Sequence, residues 1–211
     1  MIKNASLPLL LISVLWLPAE PGHAGTVEAP CNLELGLYQS NAGGAGRFVN
    51  DMASDGVTVD IEGYDTSRLA RQFSVGYQFR PWAGVQLGYL DLGDVTVDIQ
   101  AQAATVDALQ SAFARHYPAT GDGWTLGYRY RYSLAESVDV TADLGLFFWS
   151  RDIDVFGESI RSIDDSGTDP LVAVGLDYQL DDGLSIGVRF QRVYVDVEHA
   201  NLLGGVLALR F

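Results

Sequence analysis

Few side chains in this 211-residue sequence could do chemistry. Past the N-terminal segment only two histidines remain, His116 and His199, and both fall in polar segments between more regular stretches. A histidine set beside a serine and an acid can act as general base toward a nucleophile or water. Ser111, Asp196 and Glu198 are the partners that could be drafted. Two solvated loop histidines are the simpler reading, and no catalytic residue is expected. The tract Gly43-Gly44-Ala45-Gly46 lacks the strand-to-helix setting of a phosphate cradle. Asp152-Ile153-Asp154 and Asp164-Asp165 lack the spacing of a calcium loop. No His/Cys cluster has metal-ligand spacing, so neither a metal nor another cofactor is expected. Cys31 is the single cysteine and forms no intramolecular disulfide. Its expected role is packing at the start of a strand, since Val27 to Pro30 before it does not look like a lipoprotein box.

The remaining charges of interest sit inside alternating segments. Glu34, Asp139, Asp143 and Asp177 fall on the same strand faces as Arg129, Arg131, Arg189 and Arg210, four acids against four bases. If that face is enclosed, each charge needs a partner, because an unpaired buried charge costs several kcal/mol, on the order of the effective desolvation penalty. Two registers are open: Arg129 opposite Asp143, or Arg131 opposite Asp139. Either would make a plugged interior with at most small, intermittent conductance.

The elements that must position these charges are strands. Phe73 to Gly93 reads as a hairpin: Phe73, Val75, Tyr77 and Phe79 share one face, Gln72, Ser74, Gly76 and Gln78 the other, and Pro81 falls in the turn. The same period of two recurs in Asn32 to Ser40, Gly123 to Ser133, Val138 to Trp149, Val172 to Gln179, Leu184 to Gln191 and the last strand, ending at Phe211. Eight strands emerge, joined alternately by tight turns and by excursions: Asn41 to Ser67, Asp94 to Asp122, Arg151 to Asp169 and the short link Asp196 to Asn201. Within the second, Thr105 followed by Val106, Leu109 and Phe113 predicts a short helix over Thr105 to Arg115.

The N-terminus carries Lys3, an apolar run Leu7 to Leu17 and the small-x-small ending Gly22-His23-Ala24, so residues 1–24 read as a signal peptide and 25–211 as one exported domain. The apolar run is too short to span a bilayer, so insertion must be by strands. Alternation alone leaves open whether the apolar face looks inward, as in a soluble barrel, or outward to lipid. Aromatics near strand ends favour lipid: Trp82, Tyr130, Tyr132, Tyr178 and Phe211 on the turn side, Tyr89, Trp124 and Trp149 on the loop side. The net charge of −14 argues against nucleic acid as partner. The four excursions hold 17 of the 26 acids after residue 24, against four arginines. That side should attract cations, and divalent ions there could bridge to lipopolysaccharide phosphates; a hydrated, aggregation-resistant surface is the plainer alternative.

The stretches YQFRPWAGVQLGYLDLG, LGYRYRYSLAESVDVTADLGLFFWSRD and LLGGVLALRF resemble the N-terminal transmembrane barrel of the outer-membrane protein A family. The resemblance covers nearly all of the chain after the leader. It implies an all-β fold, an eight-stranded antiparallel up-and-down transmembrane β-barrel in the outer membrane, with both termini periplasmic and the long loops outside. It also makes Phe211 the terminal aromatic read by the outer-membrane assembly machinery, and outer-membrane lipid and lipopolysaccharide the surroundings. Because the sequence stops at Phe211, the family's periplasmic peptidoglycan-binding domain is expected to be absent. A structural or surface-interaction role through the acidic loops follows as the expectation, with a narrow porin-like channel and a loop-borne lipid A-modifying enzyme as alternatives.

Overall fold

The computed structural model describes residues 29–43, 45–65, 67–102, 106–155 and 161–211. The leader read over residues 1–24 lies outside them, as does Thr105. In chain order the elements are β1 (Cys31–Asn41), α1 (Ala45–Ser54), β2 (Thr58–Asp65), β3 (Ser67–Arg80), β4 (Ala83–Asp91), β5 (Thr96–Gln102), α2 (Val106–His116), β6 (Asp122–Ala135), β7 (Val138–Val155), β8 (Arg161–Gln179), β9 (Leu184–Val195) and β10 (Glu198–Arg210).

Eight of these strands close one antiparallel barrel, and β2 pairs with β5 in a separate ribbon. Around the wall β1 is followed by β10, β9, β8, β7, β6, β4 and β3, an up-and-down order once β2 and β5 are set aside. The seam between first and last strands is held by paired backbone bonds: Cys31 N–H donates to the Phe211 carbonyl at 3.0 Å and Phe211 N–H to the Cys31 carbonyl at 2.9 Å. In the turn after β8, the Asp181 carboxylate accepts the backbone N–H groups of Gly183 (2.9 Å) and Leu184 (2.6 Å).

The side facing water or lipid follows from which residues the closed wall hides. The apolar column of every barrel strand is outside: Leu37 is 59% exposed, Leu126 49%, Val188 59% and Leu207 45%. Glu34, Asp139, Arg129 and Arg189 are buried inside. A soluble barrel would invert this, because the apolar face drives burial away from water. An apolar exterior around a charged interior requires a hydrocarbon surround.

Four expectations about the excursions need correction. Asn41 to Ser67 is no simple loop, since it carries α1 and β2. The second excursion contains β5 as well as the expected helix, here α2. Much of the third is ladder: β7 and β8 stay paired out to Val155 and Arg161, with Arg151 opposite Asp165. At 18 and 19 residues these strands exceed the ~9–11 that cross a bilayer, so their ends stand clear of it. The last link shrinks to Asp196 and Val197, which puts His199 within β10 rather than in a loop.

Outside the barrel, α1, α2 and the β2–β5 ribbon share a second core. Phe48, Met52, Val57, Val59, Val95, Ala112, Phe113 and Tyr117 meet there with Ile153 from the projecting end of β7. The Phe48 and Phe113 rings pack edge to face, 5.8 Å between centroids. The excursions thus form a folded cap with its own apolar interior.

Candidate functional site

Among the described residues, polar side chains of candidate interest gather in the lumen and at the junction between barrel and cap. The lumen is stratified, because inward residues of neighbouring strands stack in layers. At the turn end, Asp139 accepts hydrogen bonds from Ser133 Oγ (2.7 Å), Gln179 Nε2 (3.0 Å) and Arg210 Nη2 (3.1 Å). Arg131 Nε lies 3.8 Å from Asp139, an ionic contact without a hydrogen bond, and Arg131 Nη1 donates to Gln78 at 2.7 Å.

One layer deeper, Arg129 stands opposite Asp143 in the β6–β7 register and donates to both its carboxylate oxygens at 2.6 and 2.7 Å. Arg131 instead faces Thr141, so of the two registers left open by sequence the first is the one adopted. Arg129 also binds Glu34, whose second oxygen receives Arg189 Nη1 at 2.8 Å. Asn32 Nδ2 donates to Glu34 at 3.1 Å. Asp177 is the odd member. It is buried, faces Asp139 across β7–β8 and Gly187 across β8–β9, and forms no ion pair among the described residues.

Above the charges the lumen turns apolar. Tyr38, Leu90, Leu92, Phe147, Trp149, Leu171, Val193, Val195 and Leu202 fill its outer part and are buried. Two rings fit because a glycine sits under each: a Cβ at Gly36 would collide with the Tyr38 ring, and one at Gly167 with Trp149. Trp149 corrects the sequence reading. Instead of joining the outer aromatic girdle it is 4% exposed and points inward, with Nε1 donating to Asp169 at 2.7 Å and the Arg151 guanidinium 5.1 Å over its ring. The outer girdle keeps Tyr89 and Trp124, 5.4 Å apart edge to face, and the turn side keeps Trp82 and Tyr130 at 6.1 Å.

At the junction a small polar hollow is lined by Arg47, Asp51, His116, Pro118 and Glu198. Arg47 Nη2 is 3.4 Å from Glu198, and His116 Nε2 is 3.0 Å from Asp55, which also pairs with Arg115 at 2.8 Å. The histidines do not converge: His199 packs on the Tyr194 ring at 6.1 Å, Ser111 is exposed on α2, and no serine hydrogen-bonds either imidazole among the described residues. Asp196 makes a backbone bond to Asp169 at 2.9 Å instead. Among the described residues no group of three or more His, Cys, Asp or Glu is placed to hold a metal.

Sequence reasoning found helix α2 but missed the rest of the cap, α1 and the β2–β5 ribbon. Its signal was present in Phe48 and Met52 at helical spacing and in Val57 and Val59 at strand spacing, but glycines and acids around them masked it.

A closed eight-stranded wall with apolar exterior and charged interior defines an integral outer-membrane β-barrel. The model of the OmpA-like transmembrane domain matches residues 38–201, and the chain belongs to that family. No curated protein matches it in sequence. Among solved structures it is similar to the N-terminal β-barrel domain of Pseudomonas aeruginosa OprF, at 13% identity and TM-score 0.52, covering 85% of this chain and 97% of that one. It is also similar to Ail, the attachment invasion locus protein of Yersinia pestis (16%, TM-score 0.50, 87% and 99% covered). Neisserial surface protein A is a third (12%, TM-score 0.50, 86% and 97% covered). At such identities the likeness shows the fold.

Proposed function

We propose that the protein acts as a surface structural or interaction module of the outer membrane, presenting an acidic, folded cap outward, and that it carries no catalysis of its own. The observation that carries this is the second core: Phe48, Met52, Phe113 and Tyr117 give the outer segments a fixed shape, which inert linkers do not need. The cap stands over a lumen filled first by ion pairs and then by apolar side chains, which disfavours the porin-like alternative. Among the described residues no serine converges with a histidine, which disfavours the lipid A-modifying one. In this reading the leader directs export, both termini lie in the periplasm, Phe211 is the residue read by the assembly machinery, and divalent cations gather diffusely at the acidic outer surface beside lipopolysaccharide.

The test is complementation. A deletion strain receives either the full barrel or a version in which residues 44–64 and 94–119 are replaced by short Gly/Ser links, and adhesion and envelope integrity are scored. The full barrel alone should restore them. Equal rescue by the cap-less version would move the function to the wall or lumen and sink the proposal.

A further inference from the structure

On six of the eight barrel strands the outward apolar column gives way, toward the cap, to one polar residue, although on β3 Leu69 is still 53% exposed beyond it. In wall order these are Arg192 above Phe190 on β9, Asn201 above Leu203 on β10, Gln39 above Leu37 on β1 and Arg71 above Phe73 on β3. Then come Asp91 above Tyr89 on β4 and Asp122 above Trp124 on β6. Arg192 pairs directly with Asn201, whereas Gln39 is two residues from the partner of Asn201, and Arg71 two from the partner of Gln39. That stagger is what tilted strands produce in a ring parallel to the membrane. Across these six strands the ring is divided by charge: four adjacent strands present two arginines and two amides, the next two present carboxylates, and β7 and β8 complete it with uncharged residues such as Ser150 and Thr168.

The cationic arc is also chemically open. Arg192 Nε donates to Asn201 Oδ1 at 2.7 Å, which fixes the guanidinium while leaving its Nη groups without partners among the described residues. Arg71 is exposed and makes no ion pair among the described residues, although Asp91 is its register partner. One step further out, His199 and Tyr194 lie over Arg192. A planar guanidinium is suited to bidentate phosphate contact.

We propose that the face formed by β9, β10, β1 and β3 binds a phosphorylated glycolipid of the outer leaflet, lipopolysaccharide, directly and without a bridging cation. Its acyl chains lie on Phe190, Leu203, Leu37 and Phe73, and its phosphates on Arg192 and Arg71. Three inter-strand steps and four residues of rise separate these arginines by about 20 Å along the wall, a span that suits a headgroup with two phosphates. The inference rests on the outward orientation of the cap but not on what the cap binds.

The experiment uses the full barrel in phosphatidylcholine nanodiscs with a chelator present, and native mass spectrometry to count retained lipopolysaccharide. The unmodified barrel should retain it, and Arg192→Gln and Arg71→Gln should each weaken retention by about tenfold, the size of one lost charge-assisted contact. Asp91→Asn, which removes the carboxylate beside Arg71 on the neighbouring strand, should retain at least as much. Each variant is first checked for the gel shift of a folded barrel. Undiminished retention by the double variant Arg192→Gln/Arg71→Gln would overturn the site. Equal retention of phosphatidylglycerol would overturn the glycolipid assignment, and equal retention of dephosphorylated lipid A would overturn the role given to the phosphates. The cap-less barrel should still bind, so failure here is separable from failure of the cap's proposed role.

Discussion

Arg129 and Asp143 face each other across the β6–β7 ladder and share two parallel hydrogen bonds at 2.6 and 2.7 Å, inside a wall whose outer face is apolar. Both also touch the wider network: Arg129 binds Glu34, and Asp143 lies 4.0 Å from Arg189 Nε.

Asp143→Ala should therefore destabilise the barrel by about 3–5 kcal/mol, the cost of leaving a buried cation short of its partner. Urea unfolding in lipid vesicles reads this. The double variant Arg129→Leu/Asp143→Leu keeps Glu34 with Arg189 and should be less damaged than the single one. If the double is worse, the pair is not what the single variant disrupts.

Conductance should be set by the apolar outer layer more than by the ion pairs. The unmodified barrel in a planar bilayer should show at most small, intermittent currents, and Asp143→Ala little more. Phe147→Ala with Trp149→Ala, which empties the layer where both rings are buried, should raise them. A large, steady conductance from the unmodified protein would sink the plug and promote the channel reading.

The cap core should fail independently of the barrel. Phe113→Ala removes a buried ring packed on Phe48 and Tyr117 and should cost about 3–5 kcal/mol. Limited proteolysis should then cut within the outer segments while the heat-dependent gel shift of the barrel persists. Loss of the gel shift would show that cap and barrel fold as one unit.

Phe211 offers two separable contributions, its ring and its backbone. Deleting it removes the paired bonds to Cys31 as well as the proposed assembly signal, whereas Phe211→Ala keeps the bonds. Both should lower surface levels in cells, and only the deletion should also slow refolding of pure protein. Normal surface levels for Phe211→Ala would leave the ring without a role in assembly.

Asp181 gives a pH dependence with a definite sign. The N–H groups of Gly183 and Leu184 hold its carboxyl below the ordinary value of 3.8. Its contribution is thus fully present above that value and is lost as pH falls through the lower folded one. Asp181→Ala should reduce stability at neutral pH and flatten the acid limb of the unfolding curve. An unchanged acid limb would remove Asp181 from the account.

The period-two alternation that counts eight strands is a local property, carried by each residue's own neighbours, so the sequence alone determined it. The shared face of Glu34, Arg129, Asp143 and Arg189 was legible for the same reason. Parity would also have placed Trp149 inside, opposite Phe148, but its position at a strand end outweighed it. Which charge meets which depended on turn geometry, since one shifted turn exchanges Arg129–Asp143 for Arg131–Asp139, and only the folded ladder chose. The cap's helix α2 was legible in the spacing of Val106, Leu109 and Phe113, but the cap's assembly was decided by tertiary structure. Its ribbon joins residues 58–65 to 96–102 across a whole barrel hairpin, and short segments with weak periodicity become a core only when the barrel brings their ends together. Burial is a property of that assembly, and no single segment encodes it.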